Sequence, residues 1–215
     1  MAAAGRPAAV VPAAVALERA RALAEPGARR ILGITGMPGA GKSTLARRVA
    51  DELGPAAVYV PMDGFHLANH ELVRLGRRDR KGAIDTFDAA GFVHLLERVH
   101  AVEDEVVYAP SFLREIEEPI AGWIPITTNI PLVVTEGNYL LVPDGAWGRV
   151  RELLDEAWYV EIDETVRIER LIARHAEFGK SHDAARRWAL GSDQINAALV
   201  ASTRHRADLI VQLTP

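Results

Sequence analysis

The segment from Gly36 to Ser43 reads GMPGAGKS and is followed by Thr44. Glycine, four residues, glycine, lysine and serine is the spacing of a loop that wraps phosphate. Glycine tolerates positive φ, so such a backbone can curl until its N–H groups point inward at phosphate oxygens. Gly36, Met37, Pro38, Gly39, Ala40, Gly41, Lys42, Ser43 and Thr44 are therefore expected to hold the phosphates of a nucleotide. The Lys42 ammonium suits the β- and γ-phosphates, and the Ser43 hydroxyl suits Mg²⁺. A helix that starts there adds the partial positive charge of its N-terminus. The dinucleotide-binding alternative fails because Thr44 stands where its third glycine belongs.

Acids come next. In a parallel α/β sheet, ligands sit at the carboxyl ends of the strands. Three acids are expected there: Asp63 beyond the apolar run 56–60, Glu136 after 130–135, and Asp163 after 156–162. Glu136 would help hold Mg²⁺, directly or through water. Asp63 could take the proton of an attacking hydroxyl, or brace its own turn. Asp163 reads as a helix cap rather than a catalyst. Arg167, Arg170 and Arg174 share one helix face by their spacing. They would neutralise charge on a transferring phosphoryl group, or form a solvated, salt-bridged face. Gly179, just beyond, could hinge a lid. His66 is either a substrate contact or a polar loop residue. The other histidines lack metal-ligand spacing.

These residues need a scaffold, and the hydrophobic periodicity supplies one. Apolar runs at 30–35, 56–60, 130–135, 156–162 and 207–212 read as strands, with a short one at 105–108. Helical spacing covers 44–53, 67–75, 88–99, 147–154, 164–178 and 183–200. Residues 77–85 read as a charged loop, and 112–126 as a loop or hairpin. Strands alternate with helices, which implies an α/β fold: a mostly parallel sheet of about five core strands covered on both faces.

The chain has 215 residues, long enough for one such domain. Residues 1–28 read as an N-terminal helical extension and about 167–185 as the lid. A net charge of −4 argues against nucleic-acid binding. There are no cysteines, which excludes disulfides and thiolate metal sites and fits a cytoplasmic protein. No stretch has the length of a membrane span. The alanine-rich start, with Arg6 before the run 8–17, has the outline of a signal peptide, but it is weakly hydrophobic, carries Pro7 and Pro12, and passes into an amphipathic stretch. Only three of the 25 basic residues are lysines: Lys42, Lys81 and Lys180. They mark places where a compact ammonium is useful.

The ordered set GMPGAGKST, MDGFHLAN, RKGAIDTFD, TEGNYLL and RLIARH resembles the uridine kinase, pantothenate kinase and phosphoribulokinase branch of P-loop kinases, over roughly residues 15–213. Within it, the chain is similar to the bacterial nucleoside/nucleotide kinase group, some members of which carry a fructokinase label. The resemblance implies a three-layer P-loop NTPase fold and ATP-dependent phosphorylation of a small hydroxyl-bearing molecule. It maps the base onto Asp63, the acid near Mg²⁺ onto Glu136, and the closing arginines onto Arg170 and Arg174. Arg80, Lys81 and Asp85 would contribute to the acceptor pocket, and Asn138 and Tyr139 could line it. Ile84 and Leu113 depart from the branch's proline and aspartate, both on the acceptor side. Two rivals stay open. One is a nucleoside monophosphate kinase, with Arg77, Arg78, Arg80 and Lys81 receiving the acceptor's phosphate. The other is an NTP-dependent regulatory module, although the guanine-reading N-K-x-D motif is absent. Homodimerisation is also open.

Overall fold

The computed structural model describes residues 8–179 and 181–214. Arg6 and Lys180 lie outside the described residues. In chain order the elements are β1 (Ala9–Pro12), α1 (Ala13–Leu23), β2 (Arg30–Gly36), α2 (Lys42–Leu53), β3 (Ala57–Pro61), α3 (Asn69–Arg74) and α4 (Ala89–Ala101). There follow β4 (Val106–Leu113), β5 (Glu118–Thr127), β6 (Leu132–Glu136), β7 (Glu156–Glu161), α5 (Glu164–Glu177), α6 (His182–Leu190), α7 (Ser192–Ser202) and β8 (Leu209–Gln212).

Six strands form one parallel sheet in the order β1-β8-β7-β2-β6-β3. Side chains alternate across it, as a strand requires. From β2 and β6, Ile31 and Val133 enter one core layer with Phe92, Leu96 and Val150. Leu32, Ile34, Leu132 and Val134 enter the other, with Leu17, Leu45 and Val49. Helices therefore cover both faces, and the strands, buried on both sides, are almost wholly apolar. Among the described residues no helix is long and apolar enough to cross a membrane.

Three local readings change. Residues 9–12 form a strand, not a helical extension; they pair in parallel with β8, from Ala9 against Leu209 to Pro12 against Gln212. Four residues carry no period of their own, so the long-range ladder decides their state. The expected helix at 183–200 is two helices, because Gly191 adopts φ −103°, ψ −98° and its carbonyl then accepts from Gln194 and Ile195. Residues Gly145–Leu153 wind as a 3-10 helix rather than an α-helix. The segment after β4 is a hairpin: β4 and β5 pair antiparallel as a separate two-stranded sheet.

Candidate active site

The phosphate loop joins β2 to α2 and is shaped by its glycines. Gly39 and Gly41 have φ of +84° and +95°, where L side chains are strained. A Cβ on Gly39 would sit 2.8 Å from the Arg167 carbonyl oxygen. Space and conformation together demand glycine. Gly41 is also the residue from which α2 starts, so the first N–H groups of that helix face the loop.

Lys42 is only 8% exposed, and its Nζ donates to the Met37 carbonyl at 3.3 Å. Burial pushes its pKa down to about 8, opposed by the carboxylates of Glu136, Asp63 and Asp193. Glu136 ends β6 and is 4% exposed. Its Oε1 accepts from Ser43 Oγ at 3.0 Å and from Tyr59 Oη at 2.7 Å. Burial and the nearby Asp63 raise the Glu136 pKa, while Lys42 and the two hydroxyls oppose the rise. Glu136 pairs with Pro61 in the β6–β3 register. That alignment carries Tyr59, two residues earlier on the same face, to the carboxylate.

These groups open onto a cavity of about 500 Å³ at the carboxyl ends of the strands. Pro38, Lys42, Ser43, Asp63, His66, Lys81, Glu136, Asn138 and Arg174 line it. Asp63 lies in the 3-10 turn after β3, and its backbone carbonyl is 2.8 Å from His66 Nδ1. The His66 ring lies 4.0 Å from Phe87 and 4.7 Å from Phe112, centroid to centroid. Burial, its largest influence, lowers the His66 pKa, so the ring is neutral near pH 7. Lys81 donates to Asn69 Oδ1 at 2.8 Å and to the Glu117 carbonyl. Arg174 lies across the cavity with protein on most sides yet solvent access.

Other expected residues sit elsewhere. Arg80 and Asp85 hold one another in a bidentate pair and do not line the cavity. Tyr139 is fully buried behind the wall, where its hydroxyl donates to the Gly82 carbonyl at 2.6 Å. Arg170 lies beside the loop, its Nη1 3.7 Å from where a Cβ on Gly41 would be, and does not line the cavity. Arg167 is fully buried: it donates to the Pro38 carbonyl at 2.9 Å, to both oxygens of Glu164, and to Gln194 at 2.6 Å. Asp163 caps α5, accepting from the N–H groups of Thr165 and Val166. No group of three or more metal-ligating side chains occurs among the described residues.

Residues given no site role by the sequence include Tyr59, which bonds Glu136 beside this cavity, and Arg114, His175 and Asp193, which line it. Tyr59 looked like one more apolar strand residue. Arg114 enters from the hairpin turn. His175 and Asp193 tie α5 to α7, with Nε2 2.7 Å from Oδ2. Only long-range contacts of the fold, between strands and between helices, bring them to the site, and local spacing carries no such signal.

Comparison with known proteins agrees with this geometry. A Schizosaccharomyces pombe protein provisionally named a uridine kinase is 31% identical over 195 residues, 86% of this chain and 83% of that one. Escherichia coli strain K12 YggC is 32% identical over 194 residues, 88% of this chain and 80% of that one. The crystal structure of a Silicibacter sp. TM1040 protein, provisionally named a fructose transport system kinase, superposes with a TM-score of 0.83 at 34% identity, covering 93% of this chain and 98% of that one. Residues 31–215 match the family described as Phosphoribulokinase / Uridine kinase. An ATP-binding kinase acting on a small molecule, the chain belongs to the phosphoribulokinase/uridine kinase family.

Proposed function

We propose that the protein transfers the γ-phosphoryl group of ATP to a hydroxyl of a small metabolite, with Asp63 as the base. The observation that carries this reading is the convergence of Asp63, Lys42, Glu136 and Arg174 on one cavity whose far wall is His66, Phe87 and Phe112. The residues fit a nucleotide with Mg²⁺. The loop's glycine positions leave no room for a Cβ, and Lys42 is a buried cation bonded to one carbonyl. Ser43 and Glu136 stand 3.0 Å apart as a hydroxyl–carboxylate pair, the donor chemistry that Mg²⁺ takes beside phosphates. When bound, Mg²⁺ would shield the charge of the phosphates.

The residues then divide the work. Lys42 and the loop amides bind the phosphates. Asp63 accepts the acceptor's hydroxyl proton, and the new O–P bond forms as the β,γ-bridging P–O bond breaks, leaving its electron pair on ADP. Arg174 stabilises charge spread over the transferring oxygens. The aromatic wall excludes water and holds the acceptor. Residues 167–185 are proposed to act as a lid. A monophosphate acceptor is the second reading: Arg80 is held by Asp85 outside the cavity, but Arg78, paired with Glu117 at the surface, and Lys81 line it.

Incubation of the protein with Mg-ATP and a metabolite pool of nucleosides, sugars, pantothenate and monophosphates, read by mass spectrometry, tests the reading. One compound should gain a phosphoryl group. Asp63→Asn should lower the rate by at least about 10²-fold with ATP affinity intact. Equal transfer by that variant removes Asp63 from the base role.

A further inference from the structure

The hairpin delivers a cation to the site that neither the phosphate loop nor the helices supply. Arg114 opens the turn between β4 and β5, and its Nη2 lies 3.4 Å from Asp63 Oδ2. Its guanidinium carbon stands 5.8 Å from the centre of the Phe178 ring at the end of α5. Arg174 lies one turn earlier on that helix. The two guanidiniums are close enough that Arg114, after burial, is the largest influence holding Arg174 below arginine's ordinary pKa. Two like charges are thus held near each other around Asp63, with Asp193, Asp63 and Glu136 offsetting part of their repulsion, and a further anion between them would be favoured.

Arg114 also occupies a boundary. A second cavity of about 290 Å³ lies under the hairpin, with Arg47, Tyr59 and Trp123 in its wall. It shares Ser43, Asp63, Phe112, Arg114 and Glu136 with the main cavity. The Arg114 side chain therefore has open space on both sides of its bond to Asp63. That bond is weak: 3.4 Å is long for a charge-assisted pair, and the two side chains are 41% and 32% exposed. Arg114 can leave Asp63 at little cost.

We propose that Arg114 is a further catalytic residue, which moves from Asp63 to the oxygens of the transferring phosphoryl group as Asp63 becomes protonated. The inference rests on the phosphotransferase reading above. Before transfer, the carboxylate holds the guanidinium near the reaction. The acceptor's proton then passes to Asp63, whose negative charge disappears as negative charge spreads on the phosphoryl oxygens. The new O–P bond forms, the β,γ-bridging P–O bond breaks, and its electron pair remains on ADP. Arg114 exchanges no proton. It follows the negative charge from carboxylate to phosphoryl oxygens, from the hairpin side, while Arg174 does the same from α5. Its ion pair with Asp63 is thus a holding position, and the charge needed for catalysis is already present when the acceptor arrives.

Equilibrium binding of MgADP alone, and of MgADP with aluminium fluoride in the presence of the metabolite pool, tests this in the wild type, Arg114→Ala and Arg114→Lys. The fluoride complex stands in for the transferring phosphoryl group. Wild type should bind it more tightly than MgADP alone. Arg114→Ala should keep MgADP affinity within about twofold, which also reports an intact fold, and lose about 10²–10³-fold of the fluoride-dependent tightening. Arg114→Lys should restore part of it, as should millimolar guanidinium added to Arg114→Ala. Full fluoride-dependent tightening in Arg114→Ala overturns the proposal and leaves the phosphotransferase reading standing. No tightening in the wild type, together with no phosphorylated metabolite, overturns both.

Discussion

Lys42 carries its ammonium where water scarcely reaches, and its pKa of about 8 follows from that burial. The sign is definite. A lysine whose pKa is depressed is charged below about pH 8 and loses its proton as the pH rises through that value. Phosphate beside it favours the charged form. Nucleotide binding near pH 8 should therefore take up a fraction of a proton, and ATP affinity should fall as pH rises above about 8. Calorimetry in buffers of different ionisation enthalpy checks this; identical apparent enthalpies in all of them would contradict it. Lys42 was legible from sequence because the whole loop is local: nine adjacent residues define it. Glu136 and Asp63 were legible because each follows an apolar run at a strand end. Tyr59 and Arg114 were not. Their roles arise from the β3–β6 register and from a hairpin folded back over the site, and neither relation has a local spacing.

At the level of elements, α5 couples the phosphate loop to α7. Arg167 does this with one side chain, bonding Pro38 in the loop, Glu164 in its own first turn and Gln194 in α7. Arg167→Ala leaves the Pro38 carbonyl and Gln194 without their donor in a buried place. Unfolding free energy should fall by about 2–3 kcal/mol, discounted because Glu164 is half exposed. Nucleotide affinity should fall with it, since the loop loses its brace. Thermal denaturation and ATP titration of the same variant check both; unchanged values would mean the loop holds its shape alone. The spacing 167, 170, 174 had suggested three equivalent arginines. They stay within an arc of about 60°, but Arg167 and Arg174 lie about 10 Å apart along the axis, so each meets different surroundings. Arg167 falls into the interior, Arg170 beside Gly41, and Arg174 into the cavity. The break at Gly191 was equally illegible: a glycine in a helical pattern is tolerated in many helices, and only packing decides.

For the whole molecule, the sheet separates stability from chemistry. β1 is the outermost strand on the β8 side, with β8 and β7 between it and β2. The site gathers at the ends of β2, β6 and β3 on the other side. Removing residues 1–12 should therefore expose the edge of β8, lower the melting temperature by several degrees and promote self-association. ATP affinity should stay within about twofold, because no site strand loses a neighbour. A truncated protein with unchanged melting behaviour would show that β1 adds nothing to the sheet. The alternation of strands and helices made the layered parallel architecture readable. A four-residue strand whose only argument is its partner 200 residues away was beyond reach of the same method.

The scarcity of lysine has a practical side. The chain contains three lysines, and the two among the described residues, Lys42 and Lys81, both line the main cavity. Burial depresses the pKa of each, so a larger share of each amine is uncharged, and hence nucleophilic, at mildly alkaline pH. On most proteins an acylating reagent scatters over a lysine-rich surface. Among the described residues the other basic side chains are arginines and histidines, which such reagents largely pass over. Of the few amines that a mild activated ester can label, Lys42 and Lys81 are the ones that bound nucleotide should shield, which sets them apart from Lys180 and the N-terminal amine.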